Sequence, residues 1–445
     1  VSPHRTEDRL LRRHLKRLRA EHEDQWSYSD RGSSSHPALF QYPAMMVADM
    51  QRDLTAALLA QAPDATGPVF DPFVGSGTVL AAGMVLGRDI VGWDVNPLAI
   101  LICRVKSGPF HLGAFADAAT RVVPTGVLRG RPEERFANWR HWFTEDVALG
   151  LTALRRRIRM EPQVATRRFL WLCLAETVRL TSNSRTTTVK LHRRPLEQVA
   201  TRPDPREVFA RVAAESVTRL AAAADELSQA GVLSRGWYRG NVSLQLGDTR
   251  KLTWHGQRSA VVVTSPPYGD NTSTVPYGQH AYLPLQWIDM SDIDVAAGND
   301  YLSSTYEIDR RSLGGEKYIE ACDECRLRSQ SPALNDVVDA LANEKRDRRN
   351  RVLAFTRDLD AALGVIAGTL EYGGVAAWTV GSRRVGGQIV PLEQMLVDLA
   401  SAHGFSHIGT LDREIPPHRK RMAARNRTGA TMQQEHVVVL RRIAP

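Results

Sequence analysis

Ser259-Ala-Val-Val-Val-Thr-Ser-Pro-Pro-Tyr268 is the stretch around which the rest of the chain is organised. Its first six residues are apolar and β-branched, the pattern of a strand buried on both faces of a parallel sheet. The last four do not follow from the packing of such a strand. Pro266 and Pro267 fix φ and remove two backbone donors, and each drives the residue before it out of the helical region. The strand therefore ends in a rigid, extended corner at its carboxyl end, where open α/β sheets form their ligand crevices. The corner offers carbonyl and hydroxyl acceptors and then an aromatic ring, a set that suits a planar base bearing an exocyclic amine. Pro-Pro can also simply terminate a strand, so the decision rests on the signals around it.

The second signal is Val69-Phe70-Asp71-Pro72-Phe73-Val74-Gly75-Ser76-Gly77-Thr78, which runs strand, acid, Gly-x-Gly and then a helix from Thr78 to Leu86. Glycines there permit a tight turn and close backbone approach to a ligand. A short strand, Ile90 to Asp94, ends in another acid, near the roughly 20-residue offset of a carboxylate that holds ribose hydroxyls. No Gly-Lys-Ser/Thr follows, so this is not a Walker loop, and the full dinucleotide signature is absent as well. The pattern fits a nucleoside without a pyrophosphate, such as S-adenosylmethionine. Asn96-Pro97 then opens a helix, Leu98 to Val105, and the later strand Val242 to Leu246 leads into Gly247-Asp248. Carboxylates at three strand ends need partners. A row of polar groups along one sheet edge, binding amino, ribose and adenine groups, accounts for them. Upstream, the aromatic and proline-rich run His36 to Met45 leads into a helix, Met46 to Gln61; it reads either as a packed loop or as the wall of a cofactor pocket.

A chain of 445 residues with 43% hydrophobic residues has room for two or three domains, or for one large domain with insertions. Its net charge of +9, carried mostly by arginine, points to a polyanionic partner and first to nucleic acid. The four cysteines do not form a disulfide framework. Cys322-Asp-Glu-Cys325 lacks the second ligand pair of a structural zinc site, so no metal is expected. No stretch approaches the about 20 apolar residues of a membrane span, and the basic N-terminus lacks a signal peptide's apolar core. The expectation is a reduced, cytoplasmic protein with no membrane partner.

The chain divides into six parts by pattern. Residues 1–35 hold a basic helix over 5–23 and a Gly32-Ser-Ser-Ser35 link; the helix is either a solvated face packed on a domain or a phosphate-contacting arm. Residues 36–110 carry the glycine turn. Residues 111–240 are mainly helical, and their basic, hydroxyl-rich stretch points to nucleic-acid contact through Arg185, Lys190, His192, Arg193 and Arg194. Residues 241–280 carry the proline corner. Residues 281–350 end in the cluster Lys345 to Arg351, which is either a DNA contact or the solvated face of a helix, Val352 to Leu370. Residues 351–445 return to strand-helix alternation. There Glu371-Tyr-Gly-Gly374 reads as a helix cap, followed by strand Val375 to Val380, helix Pro391 to Ala402, strand Phe405 to Leu411, a basic loop over 413–421 and strand His436 to Leu440.

Together these motifs resemble the amino-type DNA methyltransferases, which modify exocyclic nitrogens. Asp71 to Thr78 is similar to that family's S-adenosylmethionine-binding turn, and Thr264-Ser-Pro-Pro-Tyr268 to its catalytic corner. The serine version resembles the cytosine-N4 enzymes, whereas adenine-N6 enzymes more often carry Asp or Asn where Ser265 stands. The resemblance covers residues 36–106, 241–280 and 351–445. It implies a Rossmann-like α/β methyltransferase sheet with a mainly helical insertion, and S-adenosyl-L-methionine as cofactor. It places the cofactor against Phe40, Tyr42, Pro43, Asp71, Pro72, Phe73, Gly75, Gly77, Thr78, Asp94, Asn96, Asp248 and Thr264. It makes Ser265, Pro266, Pro267 and Tyr268 catalytic: acceptors hold the N–H groups of a flipped base, and Tyr268 stacks on it. No cysteine lies in the corner, which argues against cytosine-C5 chemistry. The implied partner is DNA; no nuclease motif is present, so restriction would require another chain, a cognate restriction or defence-system partner. An adenine-N6 enzyme, an RNA amine (guanine-N2-like) methyltransferase and a non-catalytic nucleic-acid-binding scaffold remain as alternatives.

Overall fold

The computed structural model describes residues 5–21, 26, 38–61, 65–199, 201–415 and 434–444. Seven strands form one sheet: β1 Val69–Asp71, β2 Ile90–Asp94, β3 Val242–Leu246, β4 Ser259–Thr264, β5 Leu370–Val380, β6 Phe405–Glu414 and β7 Gln434–Arg442. Their order is β3-β2-β1-β4-β5-β7-β6. The first five are mutually parallel, and β7 runs antiparallel to both neighbours. This is the Rossmann-like methyltransferase sheet expected from the motifs. Every residue of β4 is buried, as its unbroken apolar run requires for a strand covered on both faces. Because the five strands are parallel, Asp71, Asp94, Leu246, Thr264 and Val380 all finish at one edge.

Side chains alternate across the sheet and fill two separate cores. Val69, Val261, Val263, Val375 and Val437 join one core; Phe70, Val262, Ala376, Trp378 and Val438 join the other. The first core is covered by α2 Ala48–Leu59, α3 Thr78–Val85, α4 Pro97–Lys106 and the long helices Glu145–Arg159, Val164–Thr181 and Pro205–Gln229. The second is covered by helices Ala321–Gln330, Pro332–Ala340, Arg346–Thr369 and Leu392–Ala402. The basic helix α1, Arg5–Glu21, buries Leu11 and Leu15 and leaves Arg9, Arg12, Arg13, Lys16 and Arg17 exposed.

Residues 281–350 are shared between the two faces. Leu283, Trp287, Ile293 and Tyr301 enter the first core, while Leu313, Leu327, Leu334 and Val337 enter the second. Ion pairs tie the 286–294 segment to the helical insertion: Arg167 grips Asp292 through two 2.8 Å bonds, and Arg155 pairs with Asp289. Arg104 of α4 adds a 2.6 Å bond to Asp294.

Two readings of the C-terminal half change. Glu371 to Gly374 does not cap a helix. The helix ends at Thr369 and the chain passes directly into β5, where these residues absorb a register shift between Ser259↔Leu370 and Val261↔Val375. The cluster at 345–351 opens the helix as expected, but its arginines are largely held by carboxylates: Arg348 by Glu344, Arg349 by Glu324 and Arg351 by Asp347 at 2.8 Å. The Gly32 to Ser35 link and most of the basic 413–421 loop lie outside the described residues. No described helix is long and apolar enough to cross a membrane. No cluster of three or more metal-ligating side chains occurs among the described residues, and Cys322 and Cys325 are exposed.

Candidate active site

A cleft of about 2140 Å³ opens along the carboxyl edge of the parallel strands. Small-molecule pockets usually enclose about 300–1,000 Å³, so this one has space for a nucleoside cofactor and a second reactant. Tyr42, Pro43, Phe73, Gly75, Thr78, Asp94, Asn96 and Asp248 line it, and so do Ser265, Pro266, Pro267 and Tyr268. The two motifs therefore face one space.

On the cofactor side the glycine turn is pinned to β2. Gly75 N donates to Asp94 Oδ2 at 2.8 Å, and Asn96 N donates to Asp94 Oδ1 at 2.8 Å. Asn96 caps α4 by accepting from Leu98 N at 3.0 Å, and its amide donates to Tyr42 OH at 3.1 Å. The Tyr42 ring lies 5.6 Å from that of Tyr277. Gly77 sits at φ 76, a conformation that favours glycine, and a Cβ there would press on Cys103 Sγ at 3.0 Å. Burial pushes the Asp94 carboxyl up to about 6 against the backbone donors that pull it down. It also raises the Tyr42 hydroxyl well above its ordinary value, with the nearby Asp94 adding to the effect.

Asp71 stands one layer behind the cleft wall. Its Oδ1 accepts from Thr264 Oγ1 at 2.6 Å and from Phe73 N at 3.1 Å. The Thr264 bond joins the end of β1 to the end of β4 and so fixes the glycine turn against the proline corner. Burial lifts the Asp71 carboxyl to about 7, the two donors oppose this, and Asp94 adds to it. Oδ2 of Asp71 is buried without a hydrogen-bond partner among the described residues. Phe40, Pro72, Gly77 and Thr264 share this supporting layer and do not line the cleft. Phe40 packs edge-on against His280 at 5.6 Å, and Thr249 Oγ1 donates to the Pro72 carbonyl at 2.7 Å.

The corner is held from the other side. Tyr268 OH donates to Glu435 Oε1 at 3.0 Å, and Ser265 Oγ donates to Tyr268 OH at 3.4 Å. Glu435 in turn pairs with Arg413, whose Nε donates to the Trp26 carbonyl at 2.8 Å. Burial, then the Glu435 charge, raise the Tyr268 hydroxyl well above its ordinary value, so it stays a donor. Beyond the corner, Asp270 bonds Arg383 at 2.8 Å and Ser273 Oγ at 2.6 Å, which fixes the 269–274 turn.

The basic stretch of the helical insertion reaches the same cleft. Arg185, Lys190, His192 and Arg193 are exposed along its rim. Arg194 does not join them: it turns inward, donating to the Ser184 carbonyl at 3.1 Å and to Thr186 Oγ1 at 3.4 Å, and braces the loop. Asp248 lines the cleft with its carboxylate already gripped by Arg250, at 2.7–3.0 Å.

Tyr277, Asp270, Glu435 and Arg413 went unassigned in the sequence. Tyr277 lies in Val275-Pro-Tyr-Gly278, an aromatic in a turn shortly after the corner, and that spacing was a usable signal. Glu435 and Arg413 carry no local signal, because only the β6–β7 pairing brings them to the corner: Arg413 faces Glu435 in register.

No protein-family model matches the chain. The chain is similar over most of its length to a type II methyltransferase. That relative, M.MvaI of Kocuria varians, is 27% identical over 404 residues, which span 86% of this chain and 85% of its own. The rRNA methyltransferase aviRa from Streptomyces viridochromogenes, in two solved structures, aligns with 94% of this chain and 96% of its own, at 13% and 14% identity and TM-scores of 0.33 and 0.31. Those scores add nothing to the fold argument, which rests on the sheet order itself.

The site fits S-adenosylmethionine on its own chemistry. It offers the Asp94 carboxylate on the cleft wall, able to accept from ribose hydroxyls, a glycine turn for close approach, and a Tyr42–Tyr277 wall.

Proposed function

We propose that the protein transfers a methyl group from S-adenosylmethionine to the exocyclic N4 of cytosine in DNA. The observation that carries this reading is the shared cleft, in which a glycine turn and a Ser-Pro-Pro-Tyr corner are cross-linked by the 2.6 Å Thr264–Asp71 bond. The similarity to a type II methyltransferase along most of the chain supports a methyltransferase acting on DNA.

When bound, S-adenosylmethionine would supply an electrophilic sulfonium methyl: attack by the amine forms the N–C bond as the C–S bond breaks, leaving a neutral thioether and releasing one N–H proton. Every other contribution comes from the chain. Asp94 and Asn96 hold the ribose side, with Tyr42 and Tyr277 as the wall. A cytosine amine is a poor nucleophile because its lone pair is delocalised into the ring. The Ser265 hydroxyl and the Pro266 carbonyl accept its N–H groups and draw nitrogen toward tetrahedral geometry. Tyr268, anchored by Glu435, presents its ring to the base. Acceleration then comes from positioning and from acceptors placed in advance. A paired base cannot enter such a cleft, so the target is flipped out of the duplex. The exposed basic loop at 185–193 contacts phosphates beside it, and the helical insertion at 111–240 that carries it is the candidate recognition region.

A transfer assay with labelled S-adenosylmethionine, offering duplex DNA and structured RNA of matched sequence, tests the substrate class. Label is expected in DNA. Label confined to RNA rejects the proposal, and label in neither supports a scaffold role.

A further inference from the structure

The cleft rim carries an apolar side chain that neither the fold nor the roles above explain. Among the described residues, two exposed large hydrophobic side chains line the cleft, Met45 and Ile389. Met45 follows Tyr42 and Pro43 on the cofactor side. Ile389, 52% exposed, belongs to a two-stranded hairpin, Arg383–Val385 paired with Gln388–Val390, just after β5. A lone exposed isoleucine is ordinary on a protein surface; this one is set apart by its mount.

The hairpin turns through Gly386 and Gly387 at φ 59 and 85, the two positive values that a two-residue type I′ turn needs. Its root is tied to the corner. Arg383 donates to Asp270 at 2.8 Å and to Ser273 Oγ at 3.0 Å, both in the turn that follows Ser-Pro-Pro-Tyr. Ser382 Oγ donates to Glu393 at 2.6 Å. One face is braced: Val390 is buried in the second core and Val385 packs against it. The tip is backed too, since a Cβ at Gly386 would meet the side chains of Leu341 and Glu344 at 3.1 and 3.2 Å. Arg384 and Ile389, directly opposite each other in register, alternate to the other face, where both are exposed and line the cleft. Arg384 donates to the Gly387 carbonyl at 3.0 Å and has no carboxylate partner among the described residues.

Taking a base out of a duplex opens a gap between its stacked neighbours. Isoleucine and similar side chains are the wedges that proteins insert between base steps, and a cation beside such a wedge suits the adjoining phosphate. We propose that the 383–390 hairpin is the base-displacing element, with Ile389 filling the space that the target base leaves and Arg384 meeting the phosphate next to it. This rests on the reading of the cleft as that of a DNA methyltransferase that flips its target. The Arg383 contact then holds the wedge in register with the corner that receives the base.

The test compares methyl transfer to two duplexes. One spans a site at which the protein methylates plasmid DNA; the other is identical except for an abasic analogue opposite the target base. Flipping costs least for a base that is already unpaired, so Ile389→Ser is expected to lower single-turnover transfer to the paired duplex about tenfold or more and to change transfer to the abasic duplex by less than about twofold. Affinity for S-adenosylhomocysteine, read by calorimetry, is expected to stay unchanged. Ile389→Leu, which keeps an apolar wedge, retains most of the transfer to the paired duplex. Ile389→Ala gives the same split between duplexes if the serine variant does not fold. A loss of equal size on both duplexes, which a merely structural role would give, or no loss on either, overturns the assignment. If the unsubstituted protein transfers to no DNA at all, the methyltransferase reading itself fails, and the assignment with it.

Discussion

Replacing Thr264 by valine removes the hydroxyl that joins the two motifs and keeps the shape of the side chain. In the folded protein Asp71 titrates near 7 rather than 3.8, a gap worth about 4 kcal/mol. A raised carboxyl contributes its stability in full below its unfolded pKa and loses it as pH rises through the folded one. Asp71 therefore holds its proton at pH 5 and is a carboxylate at pH 8.5. The Thr264 hydroxyl, at 2.6 Å, is one of two donors that make the charged form tolerable. A bond to a neutral acceptor contributes about 1 kcal/mol and one to a charged acceptor about 1.5–3 kcal/mol. Thr264→Val should thus destabilise the unliganded protein by about 1 kcal/mol at pH 5 and by about 1.5–3 kcal/mol at pH 8.5. Urea unfolding at the two pH values measures this, and the difference should vanish in an Asp71→Asn background. An equal loss at both pH values would refute the reasoning, because it would mean that Asp71 does not change charge in this range.

Other consequences can be measured separately. The Asp94 carboxyl titrates near 6, so affinity for S-adenosylmethionine should rise between pH 5 and pH 7.5 as the site gains a negative charge, and Asp94→Asn should flatten that profile in calorimetry. Alanine at Arg185 and Lys190 should lower DNA affinity and reduce the slope of log K against log salt by about 0.9 for each phosphate no longer neutralised, with cofactor affinity unchanged in the same preparation. Glu435→Ala strands Arg413, whose side chain is 5% exposed, at a cost of about 3–5 kcal/mol that thermal or urea unfolding would register. Glu435→Gln, which can still accept from Tyr268, should lose less.

What could be read from the sequence was what short stretches encode by themselves. Asp71, Asp94 and Thr264 sit at strand ends because the apolar runs before them are buried strands, and parallel strands share one carboxyl edge. The roles of the layers were not legible. Asp71, Gly77 and Thr264 support the cleft rather than line it, and only the pairing of β1 with β4 shows that. Glu435 and Arg413 reach the corner through the antiparallel β6–β7 pair, which joins distant residues with no local pattern. Arg194 looked like its basic neighbours, yet its guanidinium satisfies acceptors of its own loop. Residues 281–350 read as one insertion because helical periodicity shows that a face is buried but not against what. Glu371 to Gly374 misled for a related reason: glycines suit a helix end and an irregular strand equally well.

The most direct measurement of the central claim is the nucleoside content of duplex DNA after incubation with the protein and S-adenosylmethionine, read by mass spectrometry of the enzymatic digest. N4-methylcytosine is expected, and neither Ser265→Ala nor Tyr268→Ala protein should produce it although both still bind DNA. N6-methyladenine alone, or N4-methylcytosine undiminished in both variants, would contradict the account.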